Sequence, residues 1–253
     1  LLQRRYPGRW QDLQREFGRE YTQLSRIFNE VVDWAYDNHL HRVTDCLEFF
    51  APRFPQICKK IEAKGDHFNG VVLGVLVKQK ARVTHIRASC VRCVAHGLAW
   101  QSVVFAHGMM EIWGPETGRR HDSLLLSRSG LNGRLAALQE GNTTQYRVYG
   151  DAAYPILSHV DRGFRGEGLT DAQKAYNKEL SKVRVAVEWQ FGKVVQIFPF
   201  VDFAKNLKIR LQAVAKYYAL AVLLTNAHTC ISGSITGFYF DMTAPSLEAY
   251  FAF

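Results

Sequence analysis

The 253-residue sequence is poor in several features that mark large classes of protein. It has only five cysteines, Cys46, Cys58, Cys90, Cys93 and Cys230, an odd number spread through a chain too long to need disulfide staples, which predicts a reducing, intracellular setting. Cys90-Val-Arg-Cys93 with His96 has half the spacing of a zinc site, but no second paired set stands at finger or ribbon distance, so two buried thiols are the simpler expectation. No apolar stretch approaches the roughly 20 residues of a membrane helix. The longest, Tyr217 to Leu224, falls far short, and no membrane association is expected. There is no Gly-x-Ser-x-Gly elbow, no phosphate-binding glycine loop and no His-Glu-x-x-His pair, which disfavours the hydrolases and nucleotide-binding folds that use them. Repeats and low-complexity tracts are absent. The chain opens on Leu1-Leu2 without a basic-then-apolar leader, and reads as a piece of a longer product.

What is present describes a globular, basic protein. Hydrophobic residues make up 47% and aromatics 13%, enough for an ordinary core in one or two domains. Thirty-two Lys and Arg against 23 Asp and Glu give a formal charge of +9, which makes nucleic acid the leading partner class.

The character of the chain changes twice. Residues 1–63 carry apolar residues at helical spacing, with Gly18 placed to end one helix before another begins; this fits a helix-turn-helix, or equally a helical hairpin packed on the next domain. Base contacts, if made there, fall to Thr22 to Arg26. Residues 64–232 begin with β-branched runs read as strands: Val71 to Val77, a hairpin of Leu98 to Phe105 and Met109 to Trp113 turning at His107-Gly108, and Tyr146 to Gly150. A long helix follows, opened by the capping box Thr170-Asp-Ala-Gln173 and striped by Tyr176, Leu180, Val183, Val187 and Phe191. A last buried helix spans about Leu207 to Ala227. Residues 233–253 form an aromatic tail that packs on the core or on a partner. The expected class is α/β.

Two acids stand out by position. Asp151 follows the strand Tyr146 to Gly150, and strand ends of α/β sheets are where ligand-binding carboxylates gather. Glu188 lies off the apolar stripe of the long helix, with Ser181 and Arg184 on the same polar side. A few carboxylates suffice for magnesium, which keeps water and phosphate oxygens as its other ligands, and two such ions drive phosphodiester cleavage in many nucleases.

Four segments in order, 114–123 (GPETGRRHDS), 149–155 (YGDAAYP), 181–192 (SKVRVAVEWQFG) and 202–209 (DFAKNLKI), resemble the catalytic domain of PIF/Harbinger-type DDE transposases and their domesticated relatives. The resemblance extends to the N-terminal helical stretch and so covers nearly the whole chain. It implies an RNase H-like core, and metal-dependent cleavage and transfer of DNA strands with Mg2+ or Mn2+. It further implies a nuclear location, a Myb-like accessory DNA-binding protein and a homo-oligomer that holds two DNA ends. By this resemblance Asp151 is the second catalytic acid and Glu188 the third, both metal ligands. Asp122 has an auxiliary role beside them, or caps the helix that follows. Arg119, Arg120 and Arg184 are the DNA contacts.

The first acid is missing. The family places an Asp-Gly pair at the end of the first core strand, and the corresponding residues 68–77 (FNGVVLGVLV) contain no carboxylate. Asn69-Gly70 imitates the pair, counting from flanking segments puts the lost acid between Val72 and Val77, and Asp66 is the only acid nearby. Two functions follow: a transposase-derived endonuclease with impaired cleavage, or a non-catalytic DNA-binding or protein-interaction module that keeps the fold.

Overall fold

The computed structural model describes residues 10–65, 72–82, 97–117, 120–141, 143–202 and 213–253. The N-terminal segment is helical, as its periodicity predicts. Helices α1 (Trp10–Phe17) and α2 (Tyr21–His39) are divided at Gly18, whose φ of +62° is a left-handed conformation that a Cβ would penalise. Short helices α3 (His41–Thr44) and α4 (Cys46–Phe50), a 3-10 turn and α5 (Phe54–Glu62) follow. Two of them place an apolar face inward: Leu47 and Phe50 from α4, and Phe54, Ile57 and Ile61 from α5 at helical spacing, are buried.

Five strands form one mixed sheet. They are β1 (Val72–Arg82), β2 (Gly97–Phe105), β3 (Met110–Thr117), β4 (Arg147–Gly150) and β5 (Val160–Arg162), in the order β3-β2-β1-β4-β5. The first three run antiparallel, while β4 lies parallel to β1 and β5 parallel to β4. The β2–β3 turn falls at the predicted His107-Gly108, with Gly108 at φ +81° and the Phe105 amide donating to the Met109 carbonyl at 3.0 Å. Helices α6 (Asp122–Ser129) and α7 (Leu131–Leu138) connect β3 to β4.

After β5 the chain enters α8 (Asp171–Ile197), whose predicted capping box is formed: Thr170 accepts from the Gln173 amide and Gln173 accepts from the Thr170 amide. Leu180, Val183, Phe191 and Val194 bury its stripe. The last long helix, α9 (Val214–Ser232), ends five residues beyond its predicted stop; α10 (Ile235–Tyr239) and α11 (Leu247–Ala252) complete the chain.

The main core is drawn from all parts of the sequence. Trp100 of β2 stacks on Tyr218 of α9 at 4.2 Å, Phe50 of α4 tilts against Phe105 at 5.0 Å, and Phe240, Met242 and Tyr250 of the aromatic tail are buried in the same cluster. A smaller cluster of Val32, Phe200, Val214 and Tyr217 seats α2 along α9, helped by a 2.8 Å bond from the Tyr217 hydroxyl to Asn29. Inside the core, Glu111 of β3 accepts from Arg134 of α7 at 2.7 Å and from the Leu47 amide at 2.7 Å, and Arg134 also binds Glu48. The resulting mixed α/β architecture, a sheet flanked by helices, is the class the sequence predicts.

Candidate functional site

Gly150, the last residue of β4, lies between Leu76 in the middle of β1 and Arg162, the last residue of β5, and Asp151 follows Gly150 there. Its carboxylate is fixed by a tight turn. Oδ1 accepts from the Ala153 amide at 2.7 Å, and the Tyr154 amide donates back to the Asp151 carbonyl at 3.1 Å. Gly150 is what lets the turn close, because a Cβ there would stand 2.8 Å from Tyr154 Cδ2 and 3.0 Å from Tyr154 Cβ. Tyr154 is fully buried and its hydroxyl has no hydrogen-bond partner among the described residues. Burial pushes its phenol up, and Asp122 and Asp151 add to the shift, so these two acids share a neighbour.

Asp122 is the first residue of α6. The cap position is held by His121, so Asp122 sits one residue inside it, where a carboxylate meets the positive end of the helix. Arg120 stands just before, its amide bonded to the Thr117 carbonyl at 3.0 Å, and Arg119 lies outside the described residues.

Glu188 projects from α8 off its buried stripe, as predicted, and pairs with Arg184 one turn back at 3.3 Å, with side chains 47% and 42% exposed. It is not among the charges that act on Tyr154. Arg184, expected to contact DNA, is thus engaged with the third expected acid. Ser181, on the same side, donates to the Asn177 carbonyl at 2.8 Å.

A further cation stands at this edge. Arg162, the last residue of β5, is registered beside Gly150 and donates to the Ala152 carbonyl within the Asp151 turn at 3.1 Å. Nothing in the local sequence singles it out. The parallel pairing that brings it to Asp151 leaves no local signature in so short a strand.

The first strand supplies no acid beside Asp151. Register pairs Val75 with Tyr149 and Leu76 with Gly150, so the next residues along each strand are Val77 and Asp151. Counting along the sequence also reaches Val77. Asp66 and Asn69, the other candidates, lie outside the described residues, as do Cys90, Cys93 and His96. Among the described residues no three His, Cys, Asp or Glu side chains converge as metal ligands; Asp151 Oδ1 accepts within its own turn and Glu188 pairs with Arg184. Among the described residues this set does not make up a two-ion centre. Among the described residues no helix is long and apolar enough to cross a membrane.

Comparison with known proteins gives the context for this edge. The family profile described as DDE superfamily endonuclease matches residues 95–226, which include Asp122, Asp151 and Glu188 and begin beyond β1. No curated protein and no solved structure matches the chain. With just over half of its length matched, the chain belongs to the DDE superfamily endonuclease family.

Proposed function

We propose that this chain is a transposase-derived member of its family, of the PIF/Harbinger type, that binds DNA at the carboxyl ends of β4 and β5 and has lost efficient metal-dependent cleavage. The β1–β4 register carries this proposal. It pairs Val75 with Tyr149 and Leu76 with Gly150, and the sequence of β1 on either side of that pairing, VLGVLVKQKAR, holds no carboxylate to join Asp151. Removing one bridging carboxylate from such a centre removes most of its activity. The sheet order, with β1 to β3 antiparallel and β4 and β5 parallel to β1, supports an RNase H-like core.

DNA as ligand rests on family membership, the charge of +9, and the basic residues at the site edge, Arg162 and Arg120 among them. A nuclear location, a Myb-like accessory protein and a homo-oligomer belong to the same reading.

The test is DNA binding by the full chain at several salt concentrations, together with a nicking assay on supercoiled DNA in manganese. Binding that falls steeply with salt, is unchanged in Glu188→Gln, and is accompanied by no nicking is the expected result. Manganese-dependent nicking that Asp151→Ala abolishes would overturn the loss of cleavage. Absence of salt-sensitive binding would overturn the DNA function.

A further inference from the structure

Beyond Arg162 the chain forms a loop, residues 163–169 (GFRGEGL), at the same sheet edge as Asp151. The loop begins with a close approach. A Cβ on Gly163 would lie 2.6 Å from Asn177 Oδ1 and 2.9 Å from the Tyr149 hydroxyl, so glycine alone brings the backbone against α8 and β4. Asn177 then clamps the next residue from both sides: its Oδ1 accepts from the Phe164 amide at 2.9 Å and its Nδ2 donates to the Phe164 carbonyl at 3.0 Å.

The side chain so held is an exposed aromatic. Phe164 is 47% exposed, and its ring stands edge-on to Tyr176 at 5.3 Å and 67°. Ring and backbone are therefore fixed while much of the ring surface remains in water. Arginines flank it: Arg162, anchored on the Asp151 turn, and Arg165, exposed on the loop. The loop's one acid, Glu167, comes after Gly166, whose φ of +118° turns the backbone between them.

A fixed, half-exposed ring with an arginine two residues before it and another directly after it matches what unpaired DNA requires, a π face for one base and cations for the phosphates on either side. Duplex DNA keeps its bases stacked on one another and offers no face to such a ring. We infer that the 162–165 segment is a docking platform for an unpaired nucleotide beside Asp151, with Phe164 stacking the base and Arg162 and Arg165 holding adjacent phosphates. This rests on the DNA-binding function proposed above and names the form of DNA that the edge prefers.

The experiment compares two oligonucleotides of equal length with the full chain by fluorescence anisotropy, one fully paired and one ending in an unpaired tail. Phe164→Ala is expected to lose about ten-fold in affinity for the tailed DNA and little for the duplex, while Phe164→Trp keeps both. Arg162→Gln should weaken binding to both and lower the salt slope by about one phosphate contact. Because Phe164 is half in solvent, its alanine variant should melt close to the unaltered chain, which separates loss of stacking from loss of fold. If the unaltered chain binds duplex and tailed DNA alike and Phe164→Ala changes neither, the platform is refuted and the DNA-binding function stands. If the chain binds neither DNA, both fall together.

Discussion

Two acidic regions of this molecule are built in opposite ways. Glu111 is 4% exposed, holds Arg134 and the Leu47 amide at 2.7 Å each, and ties β3 to α7 and α4. Glu188, expected from the sequence to be a catalytic acid, is 47% exposed and pairs along its own helix with Arg184. Burial pushes Glu111 up to about 7 against the pull of Arg134. Where the fold invests most in holding a carboxylate, the carboxylate supports the fold. Asp151 and Glu188 are held instead by short-range contacts, a turn of its own for the first and a neighbour on the same helix for the second.

The contrast yields tests of decreasing size. Arg134→Ala leaves Glu111 buried without its cation and should cost about 3–5 kcal/mol, read as a fall in unfolding free energy by denaturant titration. A loss under 1 kcal/mol would mean the buried network is slack and the contrast is wrong. Gly150→Ala drives a methyl into the Tyr154 ring and should cost about 1–3 kcal/mol, with loss of the Asp151 turn, read by thermal melting.

The pH dependence sharpens the comparison from the buried side. Glu111 binds its proton more tightly folded than unfolded, so its contribution to stability falls as pH rises from about 4.5 to about 7. His107 is fully buried and burial pushes it down to about 3, so the unfolded chain takes up the proton first and its contribution rises with pH between about 3 and 6.5. The two oppose each other where their ranges overlap. Glu111→Gln removes one of them and should reveal a rise of about 1–2 kcal/mol across that overlap, measured by denaturant titration at several pH values. At the other end of the scale, Glu188→Gln should change stability by less than about 0.5 kcal/mol, because an exposed i,i+4 pair contributes little.

Much of the architecture was legible in local pattern. The capping box at Thr170 and Gln173, the stripe through Leu180, Val183 and Phe191, the Gly108 hairpin and the position of Asp151 after β4 are all short-range features. What stayed hidden depends on tertiary contact. β5 is three residues long, too short for any periodicity to show, so the placement of Arg162 beside Asp151 could not be read. The aromatic tail left two outcomes open; Phe240 and Tyr250 enter the core while Phe238 is 90% exposed, and Tyr250 is held there by Asn226 of α9 and the Arg42 carbonyl of α3, partners the tail's own sequence does not show. The lack of a carboxylate in residues 68–77 was legible in the sequence, and the β1–β4 register added that Leu76 lies beside Gly150, one residue before Asp151.

The next residue of β1, Val77, offers the most direct measurement. Manganese titration by calorimetry would be run on the unaltered chain, on Asp151→Ala and on Val77→Asp. The account predicts no stoichiometric binding by the first two and binding regained in Val77→Asp, which returns a carboxylate to the strand beside β4. Tight binding by the unaltered chain that Asp151→Ala abolishes would contradict it, and would mean that this family member has kept its metal centre with a different first acid.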